Sequence, residues 1–234
     1  MNGFGIENMY GVLANVGTVI AGSLIGMIFK KLIPERLSDI LMKALGLCTV
    51  YIGRSGAMKG TNTLILIISM TVGTLIGSVA DLDAAIERIG ASIEKRFGSA
   101  NGESTIASAF VTSSLVFCVG AMTVIGSLNA GISGDNELLY TKSMLDLVSS
   151  TVFAAALGVG VLFSAAFVLV LQGGIVILAK IIAPYLTTYA VGEMTCVGSV
   201  ILIGIGLNLL GITKLKTMNL VPAIFVPILL CLFM

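Results

Sequence analysis

The sequence contains no histidine among its 234 residues, and only 11% of its residues are charged. Histidine is the commonest metal ligand and the commonest general base, so its absence argues against a metalloenzyme and against a hydrolase that activates serine or cysteine. The sequence also lacks the HExxH, GxSxG and phosphate-binding loop motifs and has no paired intramembrane aspartates. We therefore expect a protein that is not an enzyme and that holds no cofactor and no metal.

Clusters of basic residues are missing as well. Lysine and arginine total 13 against 12 aspartate and glutamate residues, which gives a net charge of +1. Nucleic-acid binding requires concentrated positive charge to neutralise phosphates. We therefore expect no nucleic-acid partner.

Apolar residues dominate what is present. They make up 57% of the chain, and the mean hydropathy of +1.09 is far above that of soluble domains. No polar stretch is long enough to fold separately, so we expect an all-α polytopic membrane protein whose residues 1–234 form a single transmembrane domain. All four cysteines lie in apolar runs, where we expect reduced thiols.

A helix needs about 20 largely apolar residues to cross the hydrocarbon layer, and this criterion predicts about eight transmembrane helices. The predicted spans are 11–29, 40–58, 62–80, 106–128, 143–163, 164–183, 192–212 and 217–233. Residues 147–179 contain no charge, but as one helix they would extend about 50 Å and overshoot the bilayer. The chain must therefore turn back, either at Gly158 and Gly160 or at 172–174.

The orientation follows from the lysine and arginine residues between the spans, because short positive loops stay in the cytoplasm. One side collects nine of these residues and the other collects four, namely Arg54, Lys59, Lys142 and Lys180. This asymmetry predicts that both termini lie outside. On the cytoplasmic side, apolar residues recur at helical spacing over 83–97, which indicates a helix at the membrane surface.

Internal similarity is the clearest sign of organisation. The segment CVGAMTVIG at 118–126 matches CVGSVILIG at 196–204, and a Leu-Asn pair follows each. Three predicted crossings separate the two segments, so they run in opposite directions and the repeat is inverted. The repeat-like units cover about 11–60, 62–163 and 164–233. Inverted repeats are typical of secondary transporters.

A second pair of similar segments, GSLIG at 22–26 and GTLIG at 73–77, has small residues four apart. Such spacing lets helices pack closely without any transport role. For these glycines close packing is the preferred interpretation. For the CVG segments the two interpretations stay open, because polar residues accompany the glycines.

Asp146 is the main candidate for a binding residue, because an ionisable side chain inside a span is costly unless it is paired or hydrated. It could carry a proton or a cation. Lys142 lies one helical turn earlier, so the alternative is an interfacial ion pair that reaches water. Glu193 is a second candidate for binding a cation, although a carboxylate in the first turn of a helix is also favoured by the helix dipole.

Polar residues that accompany the two CVG segments complete the predicted site. They are Thr123, Ser127, Asn129, Ser199 and Asn208. Unpaired hydroxyl and amide groups are costly in hydrocarbon, so we expect these residues and Asp146 to line one polar cavity between the repeats. For the two asparagines the alternative is a cap at the C-terminus of a helix.

Four stretches of the chain resemble a known family. They are KKLIPERLSDILMKALGLCTVYIGRSGAMKG, FCVGAMTVIGSLNAGISGD, KSMLDLVSSTVFA and EMTCVGSVILIGIGLNLLGITKLK. These stretches resemble bacterial inner-membrane proteins of the YqgA and YdfK type, and the similarity covers nearly the whole chain. The resemblance implies a bacterial inner-membrane location and a family of unknown function, with no known substrate and no catalytic residues to carry over.

The sequence favours a secondary transporter of a small solute or ion. The alternative is a channel-like or structural membrane subunit of a larger complex. In either case the lipid bilayer is the surrounding partner, and a homo-oligomer is compatible with the sequence.

Overall fold

A computed structural model describes residues 5–30, 35–85, 88, 105–118 and 121–232. The described chain is helical and contains no strand. Its α-helices are α1 (Tyr10–Lys30), α2 (Glu35–Ala57), α3 (Thr63–Val79), α4 (Thr105–Cys118), α5 (Ala121–Ser133), α6 (Glu137–Leu157), α7 (Gly160–Ile182), α8 (Thr188–Leu209) and α9 (Val226–Leu230). Two 3-10 helices cover Ile6–Met9 and Thr217–Ile224. Most of the surface helix predicted over 83–97 lies outside the described residues.

Among the described residues, three helical segments are long and apolar enough to cross a membrane: Ile6–Lys30, Gly160–Ile182 and Thr188–Leu209. Helices α4 and α5 form a fourth candidate if they are counted together, although their axes differ by 62°. Helix α6 has 21 residues but carries three charged side chains, and α3 has only 17 residues. The architecture is thus an all-helical membrane protein with three to four candidate spans.

The last predicted span, 217–233, is not one continuous α-helix in its described part. It consists of the 3-10 helix Thr217–Ile224 followed by the short α9. Pro222 lies inside the 3-10 helix and Pro227 lies in the first turn of α9. Proline has no N–H to donate and clashes with the preceding turn, so two prolines five residues apart prevent an uninterrupted α-helix.

The uncharged run 147–179 turns at Gly158, one of the two places that the sequence allows. Gly158 has φ +86° and ψ −151°, a conformation that a side chain disfavours, and it separates α6 from α7. Lys30, the last residue of α1, approaches the same glycine: a Cβ there would lie 2.7 Å from the Lys30 Nζ atom. The turn therefore lies beside the end of α1.

Glycines make the closest contacts between helices. On α1, a Cβ added at Gly22 would meet the Leu147 carbonyl oxygen, and one at Gly26 would meet the Thr151 carbonyl oxygen of α6. On α3, Gly73 and Gly77 face the backbone of the 3-10 helix Thr217–Ile224 in the same way. The glycines of GSLIG and GTLIG thus allow backbone to approach backbone, the role that small residues have between membrane helices.

The same contacts give the relative directions of α1, α2 and their partners. Helix α1 runs parallel to α6, because Gly11 faces Leu139 and Gly26 faces Ala154. Helix α2 runs antiparallel to α8, because residues near its start contact the end of α8. These contacts join Gly46 to Leu210 and Gly53 to Ile203.

The remaining helices pair in an equally regular manner. Helix α3 is antiparallel to the 3-10 helix, because Gly73 faces Ala223 and Gly77 faces Asn219. Helices α4 and α5 both follow α7 in the parallel direction. Near the start of α7 Gly160 faces Ile106, and near its end Ala179 faces Gly131. These four pairings bring α1, α5, α6 and α7 together around the site described next.

Candidate functional site

The site lies between two apolar clusters shared by the same group of helices. The first cluster contains one buried residue each from α1, α5, α6 and α7: Val12, Ala130, Leu139 and Val176. The second contains Val19 of α1, Phe117 and Cys118 of α4, Phe153 of α6 and Val168 of α7. On every helix, the residues between the two clusters must lie between these two apolar levels.

Five buried polar side chains occupy that intermediate level. We call them the polar layer: Asn15, Ser127, Lys142, Asp146 and Gln172. Four of them stand one helical turn from the first cluster, three or four residues from its members, and Asp146 follows Lys142 by one further turn. None of the five is more than 6% exposed. The layer is therefore shielded from the surroundings of the protein.

Lys142 and Asp146 form an ion pair within α6. The Lys142 Nζ atom lies 2.5 Å from the Asp146 Oδ2 atom, and the two residues are 6% and 5% exposed. The Asn15 amide of α1 lies against the same carboxylate, and the Cys118 thiol at the end of α4 is within electrostatic range of both charges. The pair predicted at this spacing is thus present, but it is buried rather than in contact with water.

Hydrogen bonding in the layer is incomplete. Both polar side-chain atoms of Asn15, both of Gln172 and the hydroxyl of Ser127 have no hydrogen-bond partner of good geometry. Buried polar atoms are nearly always paired, since an unpaired one costs about 1–3 kcal/mol. Five such atoms beside a buried ion pair therefore indicate a place where water or a ligand supplies the missing partners.

Two predicted site residues from the first CVG segment lie near the layer without belonging to it. Thr123 is buried, and its hydroxyl donates to the Phe117 carbonyl oxygen at 3.1 Å, which ties α5 to the end of α4 across the bend. Asn129 is partly exposed, and its carbonyl oxygen accepts a hydrogen bond from the Ser133 hydroxyl at 2.8 Å. Of the predicted residues, the structure brings Asp146 and Ser127 into the layer itself.

The predicted residues of the second CVG segment lie elsewhere. Ser199 packs against Gly53 and Gly56 at the contact between α2 and α8. The Asn208 side chain organises the loop after α8: its amide donates to the Leu215 carbonyl, while its oxygen accepts from Leu215 N–H and the Thr213 hydroxyl. Asn208 also lines a separate cavity of about 400 Å³. The close approach of α2 to α8 at glycine positions keeps this face of α8 away from the polar layer.

Glu193 binds the turn between α2 and α3. It is 1% exposed, and its Oε1 atom accepts hydrogen bonds from Thr61 N–H at 2.8 Å, the Thr61 hydroxyl at 3.1 Å and Asn62 N–H at 3.1 Å. Its Oε2 atom has no partner. These contacts fasten α8 to the residues before α3, so Glu193 has a positioning role in the fold.

The sequence analysis did not select Asn15 and Gln172 as site residues. A signal was nevertheless present, because each is a carboxamide inside an apolar run, where polar side chains are costly and often functional. Gln172 was considered only as part of a possible turn. The structure instead places it in the middle of α7, facing α1, α5 and α6.

The fold and the polar layer define a helical membrane protein with a closed, charge-bearing interior. Residues 10–232 match the family described as "Protein of unknown function (DUF554)", and the chain belongs to that family. It is 32% identical over 223 residues to the "Uncharacterized membrane protein YdfK" of Bacillus subtilis (strain 168), with 94% of each chain covered. It is 25% identical over 217 residues to the "Uncharacterized protein YqgA" of Escherichia coli (strain K12), with 92% of each chain covered.

These comparisons confirm the resemblance found in the sequence. No solved structure gives a significant match.

Proposed function

We propose that this protein is a secondary transporter, not an enzyme, that moves a small solute or ion across the bacterial inner membrane. The observation that carries the proposal is the polar layer, with a buried ion pair and five unpartnered polar atoms at the meeting point of four helices. Transporters place substrate and coupling ions at such intramembrane polar sites. Bacterial relatives, one of them named a membrane protein, support the location.

The proposal includes eight crossings, with both termini outside. If eight segments cross in alternation, the first and fifth are parallel, the fourth and sixth are parallel, and the second and third are antiparallel to the seventh and eighth. The helix directions found in the fold agree with this pattern. Lys142 is buried in α6 and drops out of the loop charges, which leaves nine positive residues against three for the same orientation.

The inverted repeat is also part of the proposal. Helix α5 contains most of the first CVG segment and runs parallel to α7. Helix α8, which contains the second segment, follows α7 after a short turn. Opposite directions for the two segments follow if α8 crosses back. The first segment spans the bend between α4 and α5, whereas the second lies inside continuous α8, so sequence and direction carry their equivalence.

A second function, a structural or channel-like subunit of a larger complex, is favoured by a different observation. Glycines bring backbones together between α1 and α6, between α2 and α8, and between α3 and the 3-10 helix. A dry interior with glycine-mediated packing suits a structural role, whereas a transporter also needs a site that opens to water.

Uptake by vesicles that contain the purified protein tests the proposal. Under an imposed proton or sodium gradient, at least one member of a panel of labelled cations, anions and small acids should accumulate above the level of empty vesicles. Asp146→Asn should reduce this uptake to the empty-vesicle level. Glu137→Gln makes the same chemical change at an exposed position of α6 and should retain it. If no member of the panel accumulates, or if Asp146→Asn transports like the unmodified protein, the proposal is wrong.

A further inference from the structure

We propose that the polar layer binds one small monovalent anion together with one proton, with the proton on Asp146 and the anion on Lys142. The inference deepens the proposed function and rests on it for the biological role, although the binding event stands on the geometry of the layer alone. It names the substrate class as a monovalent anion and the coupling ion as a proton.

The charge balance of the layer is the first argument. With Lys142 and Asp146 paired, the layer is neutral. When a proton binds the Asp146 Oδ2 atom, that atom becomes neutral and the Lys142 ammonium keeps a buried charge without a counter-charge, which is costly. An anion beside the Nζ atom removes that cost. Protonation and anion binding therefore favour each other, and the favour is reciprocal.

The groups that face Asp146 support this balance. Lys142 faces it from α6, the Cys118 thiol from the end of α4 and the Asn15 amide from α1. Helices α5 and α7 present Ser127 and Gln172 at this level, and α2 contributes apolar residues to the adjoining cluster. A metal cation at Asp146 would have to displace Lys142 and leave a net positive charge. A lone anion would leave a net negative charge, so only the proton and anion together keep the layer neutral.

The unpartnered atoms are the second argument. The amide nitrogens of Asn15 and Gln172 and the hydroxyl of Ser127 are donors with no acceptor. Together with the Lys142 ammonium they can surround an anion with N–H and O–H donors. The amide oxygens, which also lack partners, can accept a hydrogen bond from the protonated Asp146. One anion and one proton thus supply partners that the layer lacks.

Proton uptake on anion binding tests the inference. The purified full-length protein in weakly buffered detergent is titrated separately with formate, acetate, nitrate and chloride, while a pH indicator follows protons and calorimetry follows binding. The chain has no histidine, so few other groups change charge near neutral pH. We expect at least one of these anions to bind with uptake of about one proton, and its affinity to fall about tenfold per pH unit where Asp146 is ionised.

Variants separate the two partners. Asp146→Asn should bind the anion without proton uptake and without pH dependence, and the anion should raise its melting temperature. Glu137→Gln should behave like the unmodified protein. If Asp146→Asn does not fold, the proton stoichiometry and pH dependence of the unmodified protein decide the question.

The inference is wrong if none of the four anions binds, or if the bound anion takes up no proton. It is also wrong if Asp146→Asn folds and takes up the same proton. Vesicle uptake of another solute would then leave the proposed transport function standing, whereas anion binding without any vesicle uptake would overturn transport and keep the site.

Discussion

Lys142→Met is expected to destabilise the folded protein by about 3–5 kcal/mol, because it leaves the Asp146 carboxylate buried without its counter-charge. The pair is inside α6, and neither residue is more than 6% exposed, so water cannot replace the lost ammonium at low cost. The unpartnered Asn15 amide offers one weak substitute. Denaturant unfolding in detergent, followed by helix content, measures the change.

The double variant Lys142→Met with Asp146→Leu is the matched control. Replacing both charges by apolar groups of similar size removes the desolvation penalty of the pair, so its stability should return to that of the unmodified protein or exceed it. Transport and anion binding should nevertheless be lost. A single variant as stable as the unmodified protein would show that the pair is hydrated, and a double variant as unstable as the single one would show that α6 needs these side chains for another contact.

Gly26→Ala is expected to separate α1 from α6 at their closest approach. A Cβ at this position would meet the Thr151 carbonyl oxygen and lie 2.8 Å from the Ala154 Cβ atom and 2.9 Å from the Ala155 nitrogen. Two of these three atoms belong to the backbone, so no side-chain rotation relieves the overlap. We expect a loss of about 3 kcal/mol, at the upper end of the usual cost of overpacking. A thermal melt of the purified protein in detergent measures it.

Gly17→Ala on the same helix supplies the control, because a Cβ there has no neighbouring atom within 4 Å. Alanine favours a helix over glycine by about 1 kcal/mol, so this variant should be equally or more stable than the unmodified protein. Opposite signs for the two substitutions would verify the α1–α6 contact. Equal effects would mean that α1 packs on α6 through another face.

Several features of the fold could be predicted from the sequence because they depend on local chemistry. Apolar length predicted membrane helices, and the uncharged run 147–179 required a turn that the structure places at Gly158. The four-residue spacing of Lys142 and Asp146 predicted their contact. Each of these features follows from residues that are close together in the chain.

The composition of the polar layer could not be predicted in this way. Asn15 and Gln172 are more than 150 positions apart in the chain, and they share a level only because glycine contacts fix the vertical register of α1, α6 and α7. Ser199 and Asn208 have suitable chemistry, but α8 turns them toward α2 and the following loop. Which polar groups meet depends on helix register, and a single sequence does not contain that information.

The central claim, that the polar layer opens to water on both sides of the membrane, is tested most directly by thiol labelling of Ser127→Cys in a variant without its four native cysteines. Ser127 is 0% exposed and its hydroxyl has no partner, so cysteine fits the same space. Ser164→Cys is the control, because Ser164 is equally buried but bonded to the Val161 carbonyl oxygen within α7. A small charged thiol reagent should label Ser127→Cys from either side and leave Ser164→Cys unlabelled. If Ser127→Cys stays unlabelled from both sides, the interior is dry and the structural-subunit alternative is correct.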